Sequence, residues 1–196
     1  MITKTIIENV LIIAAEGFWL SQNSSQLKRL VRTRNTKGLS ASAQTIHAAG
    51  NIAWAAYFIS RHLWVPVVTN LSMMVITVTT LAYILGNKRQ FIKGLFTITA
   101  VGPFTAYVLL AFTGASGWLG VAYNNIANAP WLIRVIRTKK SSGISEKSLY
   151  YSIGALLCTL TYAFLINSIQ LEVGCYLGII FTAVIMRYYY HYKNRL

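Results

Sequence analysis

Seven apolar runs divide the chain, at residues 6–26, 42–60, 64–86, 91–112, 113–132, 148–167 and 172–190. A bilayer core is about 30 Å thick and takes about 20 apolar residues per helical crossing. The pattern therefore predicts seven helical spans. Two of the runs turn polar. The first ends on Ser21, Gln22, Asn23, Ser24, Ser25 and Gln26, and the fifth carries Asn124, Asn125 and Asn128. Asn124 and Asn128 stand four apart, on one helix face. Polar side chains at membrane depth need a partner or a watery cavity. Asn23, Gln26, Asn124 and Asn128 are accordingly expected to line an internal route. Interhelical hydrogen bonding, worth about 0.6 kcal/mol per pair, is the competing explanation.

The ends of these two polar runs are copies of one another. Residues 25–40, SQLKRLVRTRNTKGLS, return as residues 130–145, PWLIRVIRTKKSSGIS, at an offset of 105 with no gap. Asn23/Asn128, Leu27/Leu132, Arg29/Arg134, Arg32/Arg137, Thr33/Thr138, Gly38/Gly143 and Ser40/Ser145 are identical pairs. A repeat on this scale sets the architecture. Residues 1–86 form a first three-helix unit, residues 87–112 a linking helix with a Gly102-Pro103 break, and residues 113–196 a second unit. One linking helix lets both units enter the membrane in the same direction. The expected fold is an all-α integral membrane protein of seven helices, two parallel triples around a linker (3+1+3).

Each copy has its own chemistry. Pro130 lacks a backbone donor and crowds the carbonyl of Ile126, a break that membrane helices tolerate when neighbours satisfy the carbonyl. Ser25, its mate, bends a helix more weakly, by bonding back to a carbonyl. Ser25 and Pro130 are thus expected to act as unequal hinges. Gly38 and Gly143 are expected to end helices in the left-handed conformation, and Ser40 and Ser145 to cap the next ones. Further along, Trp54 is paired by the offset with Thr159, Tyr57 with Tyr162 and Asn70 with Cys175.

Composition agrees with the apolar runs. The 196 residues are 55% hydrophobic and 11% charged, less than half the roughly 25% charge of soluble domains. A net charge of +14 would suggest nucleic acid in a soluble protein. Here the basic residues are segregated. Lys28, Arg29, Arg32, Arg34 and Lys37 follow the first span, and Lys88, Arg89 and Lys93 follow the third. Arg134, Arg137, Lys139, Lys140 and Lys147 follow the fifth, and Arg187, Lys193 and Arg195 close the chain. Only Lys4 and Arg61 fall on the other side. This positive-inside asymmetry predicts an external amino terminus, a cytoplasmic carboxyl terminus and an odd span count. It also removes nucleic acid as a partner. The amino terminus has no signal-peptide cleavage pattern. Short loops and tails favour a plasma or inner membrane. Cys158 and Cys175 lie inside spans and read as packed thiols. No metal, cofactor or enzymatic acid–base constellation is implied.

The pattern resembles the PQ-loop superfamily, which includes the SWEET and SemiSWEET sugar transporters and cystinosin-like transporters. The family unit is Pro-Gln, a basic stretch, then Gly-Leu-Ser. Here Ser25-Gln26 keeps the Gln, and Pro130-Trp131 keeps the Pro. Trp54 and Tyr57 look like the SWEET W-x-x-Y segment, and Asn70 like the substrate-facing Asn of the third helix. The resemblance implies parallel repeats with substrate near the bilayer midplane. It implies that Trp54, Asn70, Thr159 and Cys175 form a substrate site, without cofactor or metal. The implied activity is alternating-access transport of a small polar solute, a sugar above all, by facilitated diffusion. Cys175, where sugar-transporting relatives carry Asn, suits a hydroxyl less well. Proton-coupled relatives use an intramembrane Asp, which this chain lacks. Glu16, the one acid well inside a span, is the candidate proton site. A proton-coupled amino-acid or metabolite transporter and a non-transporting receptor on the same fold stay open as alternatives. The expected partners are a solute and the lipid bilayer. A homo-oligomer is allowed but not needed, since one chain holds both halves.

Overall fold

In a computed structural model the described residues are 2–36, 39–86, 115–139 and 144–193. They form six helices: α1 (Ile2–Thr33), α2 (Ala41–Ser60), α3 (Trp64–Leu85), α4 (Ala115–Thr138), α5 (Glu146–Leu165) and α6 (Ile169–Lys193). The expected linking helix at 87–112 lies outside the described residues, as do Gly38 and Gly143. Three helices, Trp64–Leu85, Glu146–Leu165 and Ile169–Lys193, are long and apolar enough to cross a membrane. The other three carry most of the interior amides, His47 and, in α1 and α4, basic residues, all of which lower their mean hydropathy.

The 105-residue offset is written into the backbone. Thr33 and Thr138 both end helices, as do Ser60 and Leu165, while Ala41 and Glu146 both begin them. Ser40 and Ser145 are the N-caps: each side chain accepts the backbone N–H three residues on, from Ala43 and Ser148, at 3.3 Å. That bond satisfies one of the orphan donors of a helix start. Leu63 N–H to Phe58 O and Ser168 N–H to Ala163 O, both 3.0 Å, close α2 and α5 alike. These six-to-one bonds are Schellman closures.

One expectation is corrected here. The first helix of each triple ends at Thr33 or Thr138, ahead of the glycine expected to end it. Arg34 and Lys139, an offset pair, take positive φ (51° each) immediately after the helix. Their N–H groups bond Leu30 O at 2.8 Å and Val135 O at 3.0 Å. The basic stretches are also largely helical: Lys28, Arg29 and Arg32 belong to α1, and Arg134 and Arg137 to α4. Hydropathy marks where a helix leaves the apolar layer, but these long side chains favour helix and let it run on.

The six helices close a ring. α1 packs on α3 and α5, α2 on α3 and α4, and α6 on α4 and α5. Exchanging α1 with α4, α2 with α5 and α3 with α6 leaves this list of neighbours unchanged, so the ring has the two-fold pseudosymmetry of the repeat. Within each triple the third helix lies between the first two. The ring's outer face is apolar: Val65, Val68, Leu71 and Val75 form an exposed stripe on α3, and Leu177 and Ile180 are exposed on α6, on the opposite side of the ring. Such continuous apolar exposure is foreign to a soluble monomer and suits contact with lipid.

Candidate functional site

Among the described residues, two cavities lie inside the ring and share part of their walls. The central cavity is lined by Trp54 and Asn70 from the first triple and by Thr159 and Cys175 from the second. All four are buried, at most 8% exposed. Glu16, on α1, shares the wall. The second cavity lies toward the basic helix ends and is lined by Asn23, Gln26, Asn124, Asn128 and His47. Trp19, Asn124 and Leu156 line both cavities and divide them. Each holds about 110 Å³, well above the roughly 10–15 Å³ that one water requires.

Local packing fixes each wall residue. The Trp54 indole meets Tyr57 edge-on at 5.5 Å and stacks on Phe58 at 5.7 Å. Its other flank rests against Gly120 of α4, where an added Cβ would come within 2.8 Å of the ring. The offset pairs Gly120 with the larger Ala15, and the large Trp54 with the smaller Thr159. Space is thus exchanged between the halves. Asn70 holds its amide by donating Nδ2–H to the Pro66 carbonyl at 2.8 Å. Thr159 Oγ1 accepts from Trp19 Nε1 at 3.3 Å, a bond from one triple to the other across the cavity.

Two latches join the triples at opposite ends of the ring. At the basic end, Gln26 Oε1 accepts the backbone N–H of Ser145 at 2.8 Å. Gln26 therefore lines the second cavity and also ties α1 to the cap of α5. At the far end, the hydroxyls of Tyr57 and Ser168 bond at 2.8 Å. Around that bond Ile12, Trp54, Phe58, Val121 and Tyr162 form a core drawn from both triples. This core closes the central cavity on the side away from the basic stretches.

The other polar residues divide their roles. Asn23 Nδ2 donates to Trp19 O at 3.0 Å, and Asn125 Nδ2 to Val121 O at 2.8 Å. Each amide thus finds a partner for its N–H within its own helix while its residue stays near the route. Ser25 Oγ donates back to Gln22 O at 3.0 Å. Pro130 sits inside α4, which continues to Thr138. Both hinge candidates thus lie in the first helix of their triple. Among the described residues no cluster of His, Cys, Asp and Glu could hold a metal, and both cysteines are free thiols.

Trp19 and His47 were not singled out by sequence reasoning, yet both line the route. The repeat carried the signal. The offset mate of Trp19 is Asn124, and that of His47 is Ser152, another wall residue.

Comparison with known proteins is consistent with this geometry in fold alone. No family model matches the sequence, and no curated protein matches it. A solved structure of a eukaryotic SWEET transporter superposes with a TM-score of 0.73 at 13% identity. The match covers 98% of this chain and 99% of that one. The ring of paired triples is therefore the fold of a SWEET transporter, reached by a sequence that shares little else with it.

Proposed function

We propose that this protein is a membrane transporter that moves a small polar solute, a sugar being the class favoured, by alternating access without an energy source. In this reading residues 87–112 supply the linking helix of a seven-span, 3+1+3 protein. The amino terminus lies outside and the basic helix ends face the cytoplasm. The observation that carries the reading is the central cavity, where Trp54 and Asn70 of one triple face Thr159 and Cys175 of the other. A site shared by two rigid halves can pass from one side to the other when the halves rock about it. Trp54 offers an apolar face to a ring, Asn70 and Thr159 offer hydrogen bonds, and Cys175 completes the wall. Asn23, Gln26, Asn124 and Asn128 line the way to the cytoplasmic face, with Ser25 and Pro130 as hinges. The protein needs no cofactor and no second copy for this cycle.

Counterflow in proteoliposomes tests the reading. Radiolabelled sugars, amino acids and nucleosides are screened against the purified protein. At least one solute should exchange, and Trp54→Ala or Asn70→Ala should cut its kcat/KM by about tenfold or more, the effect of losing one interaction of about 1.4 kcal/mol. Exchange that survives both substitutions would contradict the site assignment.

A further inference from the structure

The central cavity contains a carboxylate that its own wall does not neutralise. Glu16 is 6% exposed, and none of the residues lining the cavity with it is Lys, Arg or His. Thr69, on α3, lies beside the carboxylate. Its Oε2 atom has no hydrogen-bond partner among the described residues. A buried charge without a counter-charge costs several kcal/mol, and acids inside membranes mark the path of an ion or substrate. The rest of the wall is aromatic, with Trp19, Trp54 and Phe58. Indole faces attract organic cations, most strongly where water is excluded. Both indoles are held in advance, Trp54 between Phe58 and Gly120, and Trp19 by its bond to Thr159. Further along α1, Gln22 Oε1 is a second buried oxygen without a partner among the described residues.

We propose that the central cavity takes a solute bearing an ammonium group, with the Glu16 carboxylate as its counter-charge and the Trp19 indole as the aromatic wall beside it. The inference rests on the transport reading and narrows its substrate class. An amine-bearing sugar fits best: its ammonium meets Glu16 while its hydroxyls meet Asn70 and Thr159. A zwitterionic amino acid fits poorly, because its carboxylate would find no cation in this wall and would lie near Glu16.

Matched solutes test it in proteoliposomes: glucosamine against glucose for counterflow, and choline against its neutral isostere 3,3-dimethylbutanol as competitors. The wild-type protein should prefer the charged member of each pair by about tenfold or more. Glu16→Gln should abolish the preference and Glu16→Asp should retain it, each checked for a monodisperse elution profile. Equal handling of both members, or a preference that survives Glu16→Gln, overturns the proposal and leaves the transport reading standing. Glucose uptake driven by a pH gradient, without amine preference and lost in Glu16→Gln, also overturns it, since Glu16 then carries a proton. If no solute of the wider screen exchanges, the proposal falls together with the transport reading.

Discussion

Trp54 occupies space that Gly120 gives up. An alanine there would place its Cβ within 2.8 Å of the indole, and forced overpacking costs about 1–3 kcal/mol. The ring would have to turn into the cavity. We predict that Gly120→Ala lowers counterflow kcat/KM by about tenfold, since 1.4 kcal/mol is a factor of ten, while the helical circular dichroism stays unchanged. Unchanged transport would show that the Trp54 ring position does not matter. That Trp54, Asn70, Thr159 and Cys175 line one cavity was legible, because the offset of 105 maps Trp54 onto Thr159 and Asn70 onto Cys175. Gly120 was not legible. A glycine in an apolar run carries no sign of what its missing side chain admits, and only the packing of α4 on α2 reveals it. Trp19 escaped for a related reason: a tryptophan in a membrane span is as readily an interface anchor as a wall.

At the scale of elements, the two latches oppose each other. Tyr57–Ser168 holds the far end shut, and Gln26–Ser145 joins the triples at the basic end. A polar contact between membrane helices is worth about 0.6 kcal/mol on average, so losing one shifts a two-state balance about threefold. Tyr57→Phe should therefore speed labelling of Cys175 from the far face about threefold in a Cys158→Ser background. Gln26→Leu should speed it from the basic face. Faster labelling from the same face in both variants would rule out opposed latches. Most element identities were readable from apolar runs, and the serine caps from the Gly-Leu-Ser and Gly-Ile-Ser turns. Helix ends were less so. The apolar run stops where lipid stops, whereas α1 and α4 continue until Arg34 and Lys139 turn left-handed. Arginine and lysine carry no such preference in sequence, so the glycines drew attention instead.

For the whole molecule, the ring of six helices places its polar side chains inside and an apolar stripe outside. That inversion of a soluble protein follows from the solvent. Lipid cannot hydrogen-bond Gln22, Asn124 or His47, so these residues face the interior cavities. The duplication then decides the symmetry, and the substitutions between copies decide the site. Trp54 against Thr159 and Asn70 against Cys175 make the two walls of the central cavity unlike. The overall plan was legible because repeat, hydropathy and charge asymmetry all agree. The solute was not, since it depends on which side chains from distant runs meet, Glu16 among them.

The central claim is that this cavity is the route itself, and Cys175 allows it to be blocked from within. In Cys158→Ser protein the remaining thiol lies in the cavity wall. Counterflow is measured before and after its complete modification by a bulky maleimide, with modification followed by mass spectrometry. The account predicts that flux is abolished and that saturating solute slows the modification. Full modification of Cys175 with undiminished flux would contradict it.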